Sequence, residues 1–303
     1  MITCFDIGGS AIKSAGAGAD GQIGELRRIP TPAHDFAAFS AAMKDLIAAG
    51  GPSRGVAISI AGVIDPADGR IKCANIPCID GRTLAADLED AFKLPVWIAN
   101  DADCFALAEA QAGAGRGHAN VFGLILGTGV GGGLVIDGRL IGGPGGFAGE
   151  WGHGPVAALS AGTPPQAISR FACGCGQTGC LDTVGGARGL ERLHLALHGA
   201  SLDSRQVIDA WQAGDANAAR TIDCFIDLLA GPLAMLVNTI GASVLPVGGG
   251  LANSAPLIAR LDQAVRGAIL RKTTRPIIVP GQSGAEPGLI GAAWLGLAKV
   301  AAR

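Results

Sequence analysis

Three glycine-rich turns each follow directly on a run of β-formers: Asp6-Ile7-Gly8-Gly9-Ser10, Gly127-Thr128-Gly129-Val130-Gly131-Gly132-Gly133, and Gly248-Gly249-Gly250. Glycine tolerates backbone angles that point successive N–H groups into one concavity, so each turn is a place where bare backbone can approach an anion. One such loop read alone is a tight turn. Three at strand ends in one chain favour binding of nucleotide phosphates, and they call for a fold that gathers strand ends around a ligand, as open α/β sheets do.

The second turn also fits the dinucleotide fingerprint G-x-G-x-x-G at Gly127, Gly129 and Gly132, with Glu150 downstream. That fingerprint needs a helix to open at its last glycine and receive the pyrophosphate. Leu134-Val135-Ile136-Asp137-Gly138-Arg139-Leu140 follows instead, which reads as a strand and an Asp-Gly hairpin turn. A Walker A loop is excluded because the chain has no Gly-Lys dipeptide. What remains is a strand-turn-strand phosphate site used twice, with a third glycine turn near the end.

β-rich runs at 2–7, 22–29, 55–60 and 96–99 alternate with helical patterns at 36–49, 84–92 and 102–111, which is α/β order. The glycine-rich patch at 112–117 marks a boundary, giving lobes at 1–115 and 116–286, with a closing helix at 287–303 that packs back on the first. A chain of 303 residues is long enough for two cores. Its formal charge of -2 offers no electrostatic footprint for nucleic acid or an anionic membrane, so a small-molecule partner is expected. The charge-free run 228–259 has the length of a membrane span, but Pro232, Asn238, Gly241, Pro246 and the glycine triplet break it into a buried helix and a strand. The apolar start is too short for a signal peptide, and the cytoplasm is the expected compartment.

Of eight cysteines, Cys4, Cys73, Cys78, Cys104 and Cys224 are scattered among apolar residues and read as small buried hydrophobes. Cys173, Cys175 and Cys180 are clustered, and Gly149-Glu150-Trp151-Gly152-His153 precedes them. Three thiolates and one imidazole make a closed tetrahedral zinc site of the structural kind. His194 and His198, four apart on an expected helix, offer a competing imidazole, although such a pair more often marks a solvated face. Asp101 stands where the strand 96–99 gives way to a helical pattern. It suits a base that orients an attacking hydroxyl, or it caps the helix that follows. Asp6, inside the first glycine turn, is either a carboxylate near a phosphate-bound Mg²⁺ or a buried structural aspartate.

Taken together these motifs resemble the ROK family of sugar kinases and repressors, within the actin-like ATPase superfamily. The resemblance rests on Asn100-Asp101-Ala102-Asp103-Cys104-Phe105-Ala106, on Gly149-Glu150-Trp151-Gly152-His153, and on Cys173-Gly174-Cys175-Gly176-Gln177-Thr178-Gly179-Cys180, and it spans nearly the whole chain. It implies an α/β, two-lobed actin-like (ribonuclease H-like) fold with a small zinc loop, in which hairpin turns from both lobes grip ATP and a later glycine turn carries the adenosine. At matching positions it implies ATP and Mg²⁺ contacts at Asp6, Gly8, Gly9, Ser10, Ala11, Thr128, Gly129, Val130, Gly131, Gly132, Gly133, Gly249 and Gly250. Asp101 is then the catalytic base, and Asn75, Asn100, Asp101, Glu150, His153 and Asp182 face the sugar. The resemblance favours His153 over the later histidines as the zinc ligand beside Cys173, Cys175 and Cys180. It also implies a homodimer.

Residues 100–110 and 123–134, with the long insert between His153 and Cys173, look closest to the N-acetylglucosamine kinases of that family. The implied activity is ATP-dependent phosphorylation of N-acetyl-D-glucosamine at its 6-hydroxyl, with glucose, N-acetylmannosamine and fructose as alternative acceptors. A repressor of the family would carry a helix-turn-helix domain ahead of the first glycine turn, where Asp6 leaves no room. Two departures stand out: Asp182 replaces the usual glutamate, and Ser10-Ala11 replaces the usual threonine and lysine.

Overall fold

The computed structural model describes residues 1–142 and 147–302, so Arg303, the end of the expected closing helix, lies outside the described residues. Contacts divide the chain into two compact units, one of Met1–Arg116, Gly133–Ala148 and Ser283–Arg303, the other of Gly117–Gly132 and Gly149–Gln282.

The chain opens with β1 (Ile2–Ile7), β2 (Ala11–Ala17) and β3 (Arg27–Pro30), then α1 (Phe36–Gly50), β4 (Val56–Ile60), a short ribbon of β5 (Val63–Ile64) and β6 (Ile71–Lys72), α2 (Leu84–Phe92), β7 (Val96–Asn100) and α3 (Asp101–Ala112). The first sheet has the order β3-β2-β1-β4-β7, with β2 antiparallel to both its neighbours and β1, β4 and β7 parallel. There follow β8 (Asn120–Leu126), β9 (Val130–Ile136), β10 (Arg139–Leu140), a second ribbon of β11 (Ser160–Ala161) and β12 (Gln166–Ala167), and helices α4 (Asp182–Gly185), α5 (Ala187–His198), α6 (Ser204–Gln212) and α7 (Ala216–Ile240). The chain closes with β13 (Leu245–Gly248), a 3₁₀ turn at Gly250–Asn253, α8 (Ala255–Ala268), β14 (Ile278–Pro280) and α9 (Pro287–Ala301). The second sheet runs β10-β9-β8-β13-β14. Both sheets therefore share one plan: the first strand lies in the centre, its two successors lie to one side and the later strands to the other.

Strand alternation decides which face of the first sheet each residue meets. Phe5 and Ile7 join Ile58, Ile60, Phe39, Met43 and Leu88 in a core on the α1–α2 face. Ile2 and Cys4 fall on the opposite face, in a smaller core with Ala57, Leu289, Ala292 and Ala293 of α9. Asp6 is in step with Ile2 and Cys4, so the same period that buries them turns its carboxylate toward α9.

Two expectations change. The run 22–29, read as a strand, is irregular until β3 starts at Arg27, and the strand beside β1 is Ala11–Ala17, whose Ala, Gly, Ser and Lys are weak β-formers. His194 is buried, with Nδ1 2.9 Å from the Thr221 hydroxyl of α7, where a solvated helix face was expected. The turn after β9 is the expected Asp-Gly hairpin, with Asp137 and Gly138 both at positive φ. Helix α7 is long and apolar enough to cross a membrane, yet most of its apolar side chains are buried, and it packs on α5, α6 and α8 inside the second unit.

Candidate active site and metal cluster

In the first unit the site begins at Asp6, where the sheet register places Ser59 on one flanking strand and Lys13 on the other. The Ser59 hydroxyl donates to Asp6 Oδ1 at 3.0 Å, and Lys13 Nζ lies 3.8 Å from Oδ2 and 2.6 Å from Glu286 Oε2. Burial pushes the Asp6 carboxyl above the ordinary carboxylate range, with Ser59 and Lys13 pulling it down and Glu286 adding to the rise. Gly288, in the first turn of α9, is needed there because a Cβ would overlap the Asp6 carboxylate. The sequence reading missed Lys13, Ser59 and Glu286. Lys13 and Ser59 were recoverable only from strand register, and Glu286 only from tertiary contact.

The turn after β1 is tied off by Thr31, whose hydroxyl donates to Gly8 O at 2.6 Å and whose N–H donates to Ser10 O at 3.3 Å. Asn75 comes close beside it: a Cβ on Gly9 would stand 2.9 Å from the Asn75 carbonyl. Buried Ile76 anchors that segment and leaves Asn75 exposed.

The two readings of Asp101 separate here. The cap of α3 is Asn100, whose Oδ1 accepts from Ala102 N at 2.7 Å and whose Nδ2 donates to Gly62 O at 3.2 Å. Asp101 is the first helical residue and is exposed, with Oδ1 2.9 Å from the same Ala102 N–H.

In the second unit, the stretch read as one loop from Gly127 to Gly133 is a three-residue turn, Gly127-Thr128-Gly129, followed by β9 from Val130. The first turn of α5 holds it from behind: Ala187 N donates to Gly127 O at 2.8 Å, and Arg188 N to Thr128 O at 3.2 Å. Gly249 lies against it at φ +87°, with no room for a Cβ beside Leu126 and Gly127. The second and third glycine turns thus meet within one unit. Gly132 and Gly133 serve packing, Gly132 against Phe122 and Trp151, and Gly133, in the first unit, against Ala102 and Ala106 of α3.

One ligand atom from each of His153, Cys173, Cys175 and Cys180 lies within 4.8 Å of all the others. Cys175 Sγ is 3.6 Å from Cys180 Sγ, and His153 Nδ1 is 3.7 Å from Cys173 Sγ. Zn–S bonds of about 2.3 Å at tetrahedral angles give S···S edges of about 3.8 Å, so the donor set and its spacing fit zinc. The knuckle is closed by Cys173 N donating to Gln177 O at 2.8 Å and by Gly176 at φ +90°. Exposed Cys175, hydrogen-bonded by the Gln177 backbone, has its thiol lowered to about 7, while burial raises Cys173 to about 11. His153 Nε2 faces Glu150 Oε2 at 3.7 Å. His194 and His198 lie outside this cluster. Asp182 presents Oδ1 to Val130 N at 2.9 Å and Oδ2 to Cys173 Sγ at 3.9 Å.

Residues 2–299 match the model of the ROK family. The chain is 36% identical over 300 residues to an N-acetylgalactosamine kinase of Shewanella sp. (strain ANA-3), covering 98% of this chain and 96% of the relative. It is 35% identical over 303 residues to an N-acetyl-D-glucosamine kinase of Salmonella paratyphi C, covering 98% and 99%. Among solved structures, the ROK hexokinase from Thermus thermophilus superposes with a TM-score of 0.87 at 28% identity, over 100% of this chain and 99% of that one.

Proposed function

The chain belongs to the ROK family, and on that premise we propose that this ATP-dependent sugar kinase phosphorylates N-acetyl-D-glucosamine at its 6-hydroxyl. The observation that carries the chemistry is the division of labour at the start of α3: Asn100 caps the helix, and Asp101 stands exposed at its first position. Asp101 takes the proton of the sugar hydroxyl as the new O–P bond forms and the bond to ADP breaks. Backbone N–H groups of Gly8, Gly9, Thr128 and Gly129 hold the phosphates, and the Gly249-Gly250 turn lies on the adenosine side. Asn75, Asn100, Glu150 and His153 orient the sugar.

Magnesium would be held near Asp6 and zinc by His153, Cys173, Cys175 and Cys180, the first supplying phosphate charge neutralisation and the second a structural clamp. Without a metal nothing bridges the three sulfurs and the imidazole, so the turn that carries Glu150 and His153 would lose its anchor. The reading includes a cytoplasmic location and, as the family resemblance implies, a homodimer.

The Shewanella relative favours a second reading, in which the acceptor is N-acetylgalactosamine. A coupled assay of ADP release across N-acetylglucosamine, N-acetylgalactosamine, N-acetylmannosamine, glucose and fructose tests both. The highest kcat/KM is expected for N-acetylglucosamine. A higher value for any other sugar moves the assignment to that sugar, and no turnover with any of them removes the kinase reading.

A further inference from the structure

We propose that Asp182 and Trp151 are positioning residues that couple the Gly127-Thr128-Gly129 turn to the Cys₃His cluster, so that metal occupancy and nucleotide affinity depend on each other. The inference rests on the reading of that turn as a phosphate turn and of the cluster as a zinc site.

Three segments of the second unit interlock here. Asp182 follows the last ligand, Cys180, by two positions, and its N–H donates to Gly152 O at 2.8 Å, next to the ligand His153. Its Oδ1 accepts from Val130 N at 2.9 Å, at the first residue after the turn. Trp151 Nε1 donates to Gly131 O at 2.9 Å, one residue further along the same strand. Two successive residues of β9, through Val130 N and Gly131 O, are thus held by two side chains whose own backbones belong to the metal loop. No slack remains between the parts: a Cβ on Gly129 would overlap the Asp182 carboxylate, and one on Gly152 would overlap the Val130 side chain. Close-packed contacts of this kind transmit a displacement rather than absorb it.

The side-chain length fits this role. With one methylene less than glutamate, Asp182 ends at Val130 N and Cys173 Sγ. A glutamate would push its carboxylate into Gly129, where a methyl group already has no space.

The test uses the zinc-loaded full chain and AMPPNP as the nucleotide probe. A metallochromic chelator is titrated against the protein with and without AMPPNP, and AMPPNP affinity is read by calorimetry. In the wild type, AMPPNP is expected to make zinc about tenfold harder to extract, and zinc loss to weaken AMPPNP by the same factor, since linkage is reciprocal. Trp151→Phe keeps the ring and loses the donor, and it is expected to reduce that factor severalfold while still binding zinc. Asp182→Glu is expected to raise the KM for ATP and leave the KM for the sugar unchanged. The reverse split would assign the carboxylate to the sugar and overturn its role here. If the protein holds zinc and binds AMPPNP but the two are independent, the coupling is overturned and the functional reading stands. If zinc or AMPPNP fails to bind at all, the functional reading falls and the coupling falls with it.

Discussion

The turn at 8–10 and the turn at 127–129 both join the first two strands of a five-stranded sheet with the same strand plan, yet they are held in different ways. The first is supported by its own unit's sheet and by Thr31, with the charged group of Asp6, Lys13 and Glu286 beside it. The second is supported by the N-terminal turn of α5, by Gly249, and by Asp182 and Trp151 of the loop around the Cys₃His cluster. The same backbone device has a charge-based setting in one unit and, in the other, a setting of side chains from the loop that carries the Cys₃His cluster. Loss of zinc should therefore loosen one turn and spare the other, and loss of a carboxylate should do the opposite.

The largest effect expected from this contrast is chemical. Asp101→Asn should lower kcat by about 10²- to 10⁴-fold, the usual contribution of a positioned general base, while zinc content and melting temperature stay at wild-type values. A kcat within a few-fold of wild type would remove Asp101 from the chemistry. The next effect is structural. Cys180→Ser should lose zinc by elemental analysis and destabilise the protein by on the order of 4 kcal/mol, the range seen when a metal site is lost. Amide hydrogen exchange should then quicken across 127–133 and leave 5–12 unchanged, and equal quickening of both would erase the contrast.

The smallest effect concerns pH. Because burial raises the Asp6 carboxyl in the folded protein, the folded state holds its proton more tightly than the unfolded chain does. Its contribution to stability is therefore fully present below the ordinary carboxylate value of about 3.9 and is lost as pH rises through the folded value. Asp6→Asn keeps a group that can accept from Ser59 and removes the charge. It should melt at or above the wild-type temperature at pH 7, show a flatter dependence of melting temperature on pH, and lose activity. A lower melting point at neutral pH would show that the pairing with Lys13 outweighs burial.

Much of this was legible because local chemistry and local structure coincide. Residues Leu84–Phe92 and Ala216–Ile240 form the helices their apolar periodicity indicates, and the Asp137-Gly138 turn forms the hairpin that excluded a dinucleotide fold. The clustering of the cysteine knuckle was readable from spacing because all its members but His153 lie within eight residues. What escaped depended on partners far along the chain. Ala11–Ala17 is a strand because β1 and β3 flank it, and nothing in its own residues demands that state. Lys13 meets Glu286 across 273 positions. Gly132 and Gly133 looked like loop residues, and only the packing of Trp151 and α3 against β9 reveals why side chains are excluded there. His194 looked solvated until Thr221 supplied its partner.

Helix α9 completes the small core around Ile2 and Cys4, and it crosses α3 so tightly that Gly291 has no room for a Cβ beside the Cys104 backbone. Where the chain re-enters the first unit, buried Glu109 of α3 accepts from both Ser283 N and Ser283 Oγ. During translation the ribosome must therefore deliver the second unit before the first can close, and the helix bearing Asp101 waits, half-sheltered, for a segment made near the end. A nascent chain arrested before Pro287 would expose the apolar face of Ile2, Cys4 and Ala57, a surface that invites chaperone capture or aggregation.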